Sequence, residues 1–239
     1  ASSVSLIGRA VPDVSSLPPG AHKALVEYGQ QLTERTFAHI GPEVKTQQMR
    51  YAGNNLACSS CHQASGTKKF AIPWVGAHAT FPQYRGREDG ISTLEERVNG
   101  CMERSMSGKA LPFDSKEMKA FVTYMHFLSN VGRVGAMVEG QGRPPFTAPN
   151  RRADTVAGGQ TYQAKCSACH GVNGAGIRAG APGSATGYTF PPLWGPDSFN
   201  TGAGMNRLRV AASSRDAALR ASYRKLQESL IAPDSAAEE

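Results

Sequence analysis

Apolar side chains recur at helical spacing along much of this chain. Leu25, Tyr28 and Leu32 stand at i, i+3 and i+7, one face of a helix. Met118, Phe121, Val122, Met125 and Leu128 line one face of a second helix of roughly four turns. Asp114 to Glu117, just before it, carries the mark of a helix start. Ser92-Thr93-Leu94-Glu95 reads as a capping box that opens a third helix. In the tail, Leu219, Tyr223, Leu226 and Leu230 fall at i, i+4, i+7 and i+11, an amphipathic helical spacing. From Gly132 to Thr155 the periodicity gives way to glycine, proline and arginine, which reads as an extended linker. The pattern predicts two mostly helical halves with little strand. The apolar runs are short and mean hydropathy is −0.37, so no membrane span is expected.

Each half carries one Cys-x-x-Cys-His: Cys58-Ser59-Ser60-Cys61-His62 and Cys166-Ser167-Ala168-Cys169-His170. This spacing is that of covalent haem c attachment, with thioethers from both cysteines and the histidine, His62 or His170, on iron. Neither motif has a second cysteine pair or a His-x-His nearby to complete a tetrahedral zinc site. Around the second motif, Gly159, Tyr162 and Gly171 are similar to the opening of a class I cytochrome c. Phe70-Ala71-Ile72-Pro73-Trp74-Val75-Gly76 in the first half parallels Phe190-Pro191-Pro192-Leu193-Trp194-Gly195 in the second. The expected fold is therefore mostly α: two class I cytochrome c-like domains in tandem, each with one covalently bound haem c. The expected division is 1–131, a linker over 132–155, and 156–239, with a tail after 207 that departs from a usual cytochrome ending. Haem c is attached outside the cytoplasm, so a periplasmic location is expected, with any export leader already removed.

At 239 residues the length suits one or two domains, and the hydrophobic content of 40% is slightly low. Two buried porphyrins would supply apolar core. Net charge is +7 with a pI near 9.3, which favours anionic substrates or an acidic redox partner through long-range steering. No basic stripe with stacking aromatics is present, which argues against nucleic-acid binding.

The distal side of each iron needs its own ligand. Met205, which follows a glycine-rich turn, is the candidate for the second haem. For the first haem His78, Cys101, Met102, Met106, Met118, Met125 and His126 are open. Met118 and Met125 sit on the apolar stripe of their helix and His126 beside it, which suits core or structural roles. Cys101 is the fifth cysteine and has no motif partner. On the helix opened near Ser92, Arg97, Cys101 and Ser105 share one face at i, i+4 and i+8, bordered by Leu94 and Val98. If that face covers the haem, Cys101 can be a thiolate ligand with anion-binding groups beside it.

Arg97 to Gly108 with Leu111-Pro112, Tyr84 to Asp89, and Phe199-Asn200 with Gly202-Ala203-Gly204-Met205 together resemble the thiosulfate dehydrogenases. The resemblance implies a periplasmic dihaem cytochrome c that couples two thiosulfates into tetrathionate, or runs the reverse. It implies that Cys58 and Cys61 hold the active-site haem between His62 and Cys101. Arg87, Arg97 and Ser105 would surround the substrate. Cys166, Cys169 and His170 would hold the electron-exit haem, with Met205 distal. A soluble acceptor such as a small cytochrome c or a high-potential iron–sulfur protein is implied as partner. Two other readings stay open at this point. A pure dihaem electron carrier predicts His/Met ligation at both irons. A haem-cysteine subunit of a thiosulfate-oxidising multienzyme complex predicts a modified Cys101 and a tightly bound small cytochrome.

Overall fold

The computed structural model describes residues 11–130, 134, 137–143, 147, 150, 154–207 and 210–211. The tail helix expected over 219–230 and half of the linker lie outside the described residues.

The first half is organised by two crossing helices, α1 (Ala21–Glu34) and α5 (Lys116–Leu128). They approach closely because α1 offers Gly29 at the crossing. A Cβ there would collide with the Ala120 carbonyl and the Tyr124 side chain. Val26 and Leu32 on α1 and Phe121, Tyr124 and Leu128 on α5 are almost fully buried, so the apolar stripes meet each other. A short α2 (Thr36–Ile40) follows, and the buried hydroxyls of Thr33 and Thr36 donate back to the carbonyls of Gly29 and Leu32 at 2.7 and 2.6 Å. After a single turn, α3 (Gln63–Gly66), the chain forms a small hairpin of β1 (Gln83–Arg85) and β2 (Gly90–Ser92). The pairs are Gln83 with Ser92, Tyr84 with Ile91 and Arg85 with Gly90.

Helix α4 (Leu94–Arg104) carries Cys101. Its cap is Thr93, whose hydroxyl accepts from Glu96 N while the Glu96 carboxylate accepts from Thr93 N at 2.8 Å. The box is thus one residue later than the sequence suggests. Two overlapping boxes were available, and Ser92 is taken by its pairing with Gln83. The start of α5 moves the same way: Ser115, not Asp114, accepts from Met118 N at 3.1 Å. Between these helices, buried Asn99 holds both backbone groups of Leu111, at 3.0 and 2.8 Å.

In the second half, α6 (Thr155–Lys165) is capped by Asp154 and leads into α7 (Ser167–His170). A second hairpin pairs β3 (Ile177–Arg178) with β4 (Tyr188–Phe190). Among the described residues, the buried apolar core lies within 26–138, joined by Ala203 alone from the second half. The second half instead docks through polar contacts. The Arg178 guanidinium takes both carboxylate oxygens of Glu43 at 2.6 and 2.7 Å and Asp197 at 3.3 Å. The loop around Asn200 rests on the C-terminal end of α4. Asn200 donates to the carbonyls of Glu103 and Arg104 at 2.8 and 3.1 Å, and Ser107 donates to Ser198 O at 2.9 Å.

Candidate active site

The two Cys-x-x-Cys-His motifs adopt the same local arrangement. In the first, His62 Nδ1 lies 2.6 Å from the carbonyl of Ile72. In the second, His170 Nδ1 lies 2.8 Å from the carbonyl of Pro191. A carbonyl only accepts, so Nδ1 carries the proton and Nε2 keeps its lone pair for a metal. Ile72 and Pro191 each precede a proline, and each stands two or three residues before a tryptophan, Trp74 or Trp194. The sequence parallel between the halves is therefore the device that orients both histidines. In the first half the device is strained: Ala64, Ser65, Phe70 and Ile72 all have positive φ, which non-glycine residues rarely adopt. That winding brings the Ile72 carbonyl back onto the ring.

His62, Cys58 and Cys61 face a cleft of about 1090 Å³, open to solvent at its mouth. Its walls are apolar, with Leu56, Trp74, Val98, Met102, Phe121 and Met125 among them. Burial pushes the thiol of Cys58 up to about 12, with Cys101 and Cys61 adding to the rise, and that of Cys61 up to about 11. Two half-buried thiols beside an oriented histidine, in an apolar slot, fit a haem held by thioethers and a nitrogen ligand. The second site fits by a different observation. Helix α6, which leads into Cys166, buries none of its own residues, and Trp194, tilted against Tyr162 with ring centroids 5.6 Å apart, is 51% exposed. Cys169 is exposed and Cys166 half-buried beside His170. Among the described residues Ala203 is the one buried hydrophobic side chain of this half, and a porphyrin would supply the apolar partner that α6 lacks.

Helix α4 delivers the chemistry to the first cleft. Arg97, Cys101 and Ser105 all line it, as their helical phase predicts. Arg97 NH1 donates to Cys101 Sγ at 2.7 Å. Burial pushes the Cys101 thiol up, but the Arg97 charge and the His62 ring more than offset it, and the value falls to about 6. Of the three cysteines in this cleft, Cys101 is the one whose surroundings favour the thiolate. The reciprocal effect raises the Arg97 guanidinium.

The other sequence candidates are distributed as follows. Met102, Met106 and Met125 line the same cleft, whereas Met118 is buried in the α1–α5 core. His78 and His126 pair with each other, ring centroids 4.6 Å apart. Arg87 donates from NH2 to the Gly202 carbonyl at 2.6 Å, on the loop that leads to Met205. The arginine that this segment places in the cleft wall is Arg85, with Gln83 two residues before it. Strand alternation was the signal that could have found the pair, since Tyr84 between them is 61% exposed. Met205 lines the first cleft together with Phe199, rather than grouping with the contacts of Tyr162, Pro191 and Trp194 around His170.

Comparison with known proteins bears on the family and the fold. Residues 47–134 match the SoxA/TsdA cytochrome c domain family, and residues 155–234 match the cytochrome c family. Over 206 residues the chain is 43% identical to the thiosulfate dehydrogenase of Allochromatium vinosum, covering 84% of this chain and 72% of that one. Over 202 residues it is 36% identical to that of Stutzerimonas stutzeri, covering 84% of this chain and 62% of that one. The solved thiosulfate dehydrogenase (TsdBA) of Marichromatium purpuratum, in its as-isolated form, superposes with a TM-score of 0.76 at 29% identity. It covers 86% of this chain, which spans 43% of that longer chain. With two tandem cytochrome c domains, each binding a haem c covalently, the chain belongs to the thiosulfate dehydrogenases.

Proposed function

We propose that this protein joins two thiosulfate anions into tetrathionate, and runs the reverse reduction when electrons are supplied. The carrying observation is the half-buried Arg97–Cys101 contact at 2.7 Å, beside His62 and Ser105 in one apolar cleft. Cys58 and Cys61 would hold the first haem, with His62 and Cys101 as the residues that could bind its iron. Cys166, Cys169 and His170 would hold the second; Met205, the sequence's candidate for the other side of that iron, sits on a loop that reaches the first cleft. The irons supply one capacity, accepting electrons singly and passing them on.

The remaining chemistry belongs to the side chains. Cys101 thiolate and the terminal sulfur of one thiosulfate form an S–S bond, giving Cys101–S–S–SO3⁻ and releasing two electrons. The terminal sulfur of a second thiosulfate attacks the adduct sulfur that bears the sulfonate. The Cys101 S–S bond breaks, tetrathionate leaves and the thiolate is regenerated, as in thiol–disulfide exchange. Arg97 holds the thiolate on its rotamer and shares its charge with the incoming anion. Ser105 offers a hydroxyl to the sulfonate oxygens, and Arg87 adds positive potential outside the cleft. A thiolate would lower the potential of an iron it binds and a thioether would raise it, which would suit electron passage from the first site to the second.

Charge is the chief obstacle. Two dianions about 5 Å apart repel by about 13 kcal/mol at an effective dielectric constant of about 20. One guanidinium about 4 Å from a dianion returns about 8 kcal/mol on the same scale. A single arginine, partly engaged by a thiolate, does not close that gap. The basic chain as a whole, at +7, supports recruitment of anions and of an acidic soluble acceptor in the periplasm, a small cytochrome or a high-potential iron–sulfur protein.

Cys101→Ser tests the reading. Both haems should remain attached, thiosulfate oxidation should vanish, and a thiolate-type low-spin EPR signal should be lost. Undiminished turnover in that variant would remove Cys101 from the chemistry and return the protein to the class of electron carriers.

A further inference from the structure

Two cavities meet at the mouth of the cleft. Beside the apolar one lies a polar recess of about 650 Å³, bounded by β2 and by the side of α4 that carries Gly100 and Arg104. The two cavities share two side chains, Arg85 and Arg97. Arg97 is engaged by Cys101. Among the described residues, Arg85 is gripped through Nε alone, by Glu88 Oε2 at 3.2 Å, and this leaves its two terminal nitrogens, the pair suited to an oxyanion, for a ligand. Glu88 also accepts from Arg104 at 3.2 Å, so one carboxylate spans two guanidinium groups at the junction. Arg87 and Arg207 add further positive charge close to these two. Against them, Glu96 is spent on the cap of α4 and Glu103 stands at the recess wall.

We propose that Arg85 is a second anion-binding residue: from the junction it holds the thiosulfate that attacks the Cys101 adduct, and Glu88 positions it. The β1 register places it there, because Gln83 and Arg85 share the face that meets the cleft. The recess then gives the second dianion a waiting place and the departing tetrathionate a way out. This rests on the function proposed above.

The test uses the haem-loaded protein and two readouts. By calorimetry in the Cys101→Ser background, where no turnover occurs, Arg85→Gln should weaken thiosulfate binding about tenfold, the loss of one charge-assisted contact. Arg85→Lys should recover part of that loss. With Cys101 in place, Arg85→Gln should raise KM by a similar factor and change kcat by less than about threefold. Glu88→Gln should raise KM less, in the same direction, and Glu88→Asp should restore it. Calorimetric affinity unmoved by Arg85→Gln, or a fall in kcat with KM unmoved, overturns the assignment. Thiosulfate oxidation with binding independent of Arg85 sinks this inference alone. Arg85-dependent binding without any oxidation by the unaltered protein sinks the proposed activity and leaves the anion site standing.

Discussion

Replacing Arg178 by leucine would cut the main ionic tie between the two halves. Its NH2 reaches both oxygens of Glu43 and its NH1 reaches Asp197, with side-chain exposures of 23% for Arg178, 15% for Glu43 and 28% for Asp197. A charge-assisted bond of this kind contributes about 1.5–3 kcal/mol, and stranding one partner of a buried pair costs about 3–5 kcal/mol. Here the stranded carboxylates keep other donors. Ala185 N still reaches Glu43 at 3.0 Å, and Asn55 N and the Tyr188 hydroxyl still reach Asp197 at 2.7 and 2.6 Å. The expected loss is therefore about 3 kcal/mol, which for a protein of this size lowers the melting temperature by about 6–12 °C. The assay is thermal unfolding of the haem-loaded protein, followed by circular dichroism and haem absorption. The loss should depend on pH. Burial raises the Glu43 carboxyl, but the amides of Gly183 and Ala185 and the Arg178 charge outweigh it and hold it below the ordinary 4.5. A depressed folded value means that the stabilisation is whole above about 4.5 and is lost as pH falls through the folded value. The gap between parent and variant should be full at about pH 7 and shrink in acid below the ordinary carboxylate value. A gap under about 2 °C at neutral pH, or one that stays constant into acid, would refute the ionic account of the join.

Two further changes test the scaffold beneath the cleft. Asn99→Ala strands both backbone groups of Leu111 in a buried place and should cost about 2–4 kcal/mol by urea unfolding; it should also loosen the loop after α4. Gly29→Ala should destabilise by about 1–3 kcal/mol despite alanine's better helix propensity, because its methyl meets the backbone of α5; a higher urea midpoint would show that the helices do not cross there.

Local chemistry was legible in the sequence wherever the constraint is local. The Cys-x-x-Cys-His motifs announce haem, and the 3.6-residue period brings Arg97, Cys101 and Ser105 to one wall. The repeated aromatic–proline segments were visible as a likeness, but their purpose, a pre-proline carbonyl aimed at the histidine Nδ1, needs the backbone path through Ala64 to Ile72. The helix starts near Ser92 and Asp114 were off by one residue, because two capping residues stood side by side at each and strand pairing or cap geometry decided between them. Arg85 was passed over for Arg87. The two are two residues apart and would share a face of a longer strand; β1 ends at Arg85, and Arg87 falls in the turn, where strand alternation no longer holds.

Met205 shows a different limit. Its glycine-rich approach marks it as a loop methionine, but where the loop lies depends on contacts that span about a hundred residues of sequence. Asn200 sits on the carbonyls of Glu103 and Arg104, Ser107 holds Ser198, and Arg87 holds Gly202. These bonds fasten the loop to the last turn of the helix that carries Cys101 and bring Met205 to the edge of the first cleft. No pattern within the loop encodes them, because a backbone carbonyl is the same acceptor in every residue. Cys101 on the inner face of α4 and the carbonyls at its end therefore belong to one rigid element. That element joins the wall of the cleft to the loop of Met205.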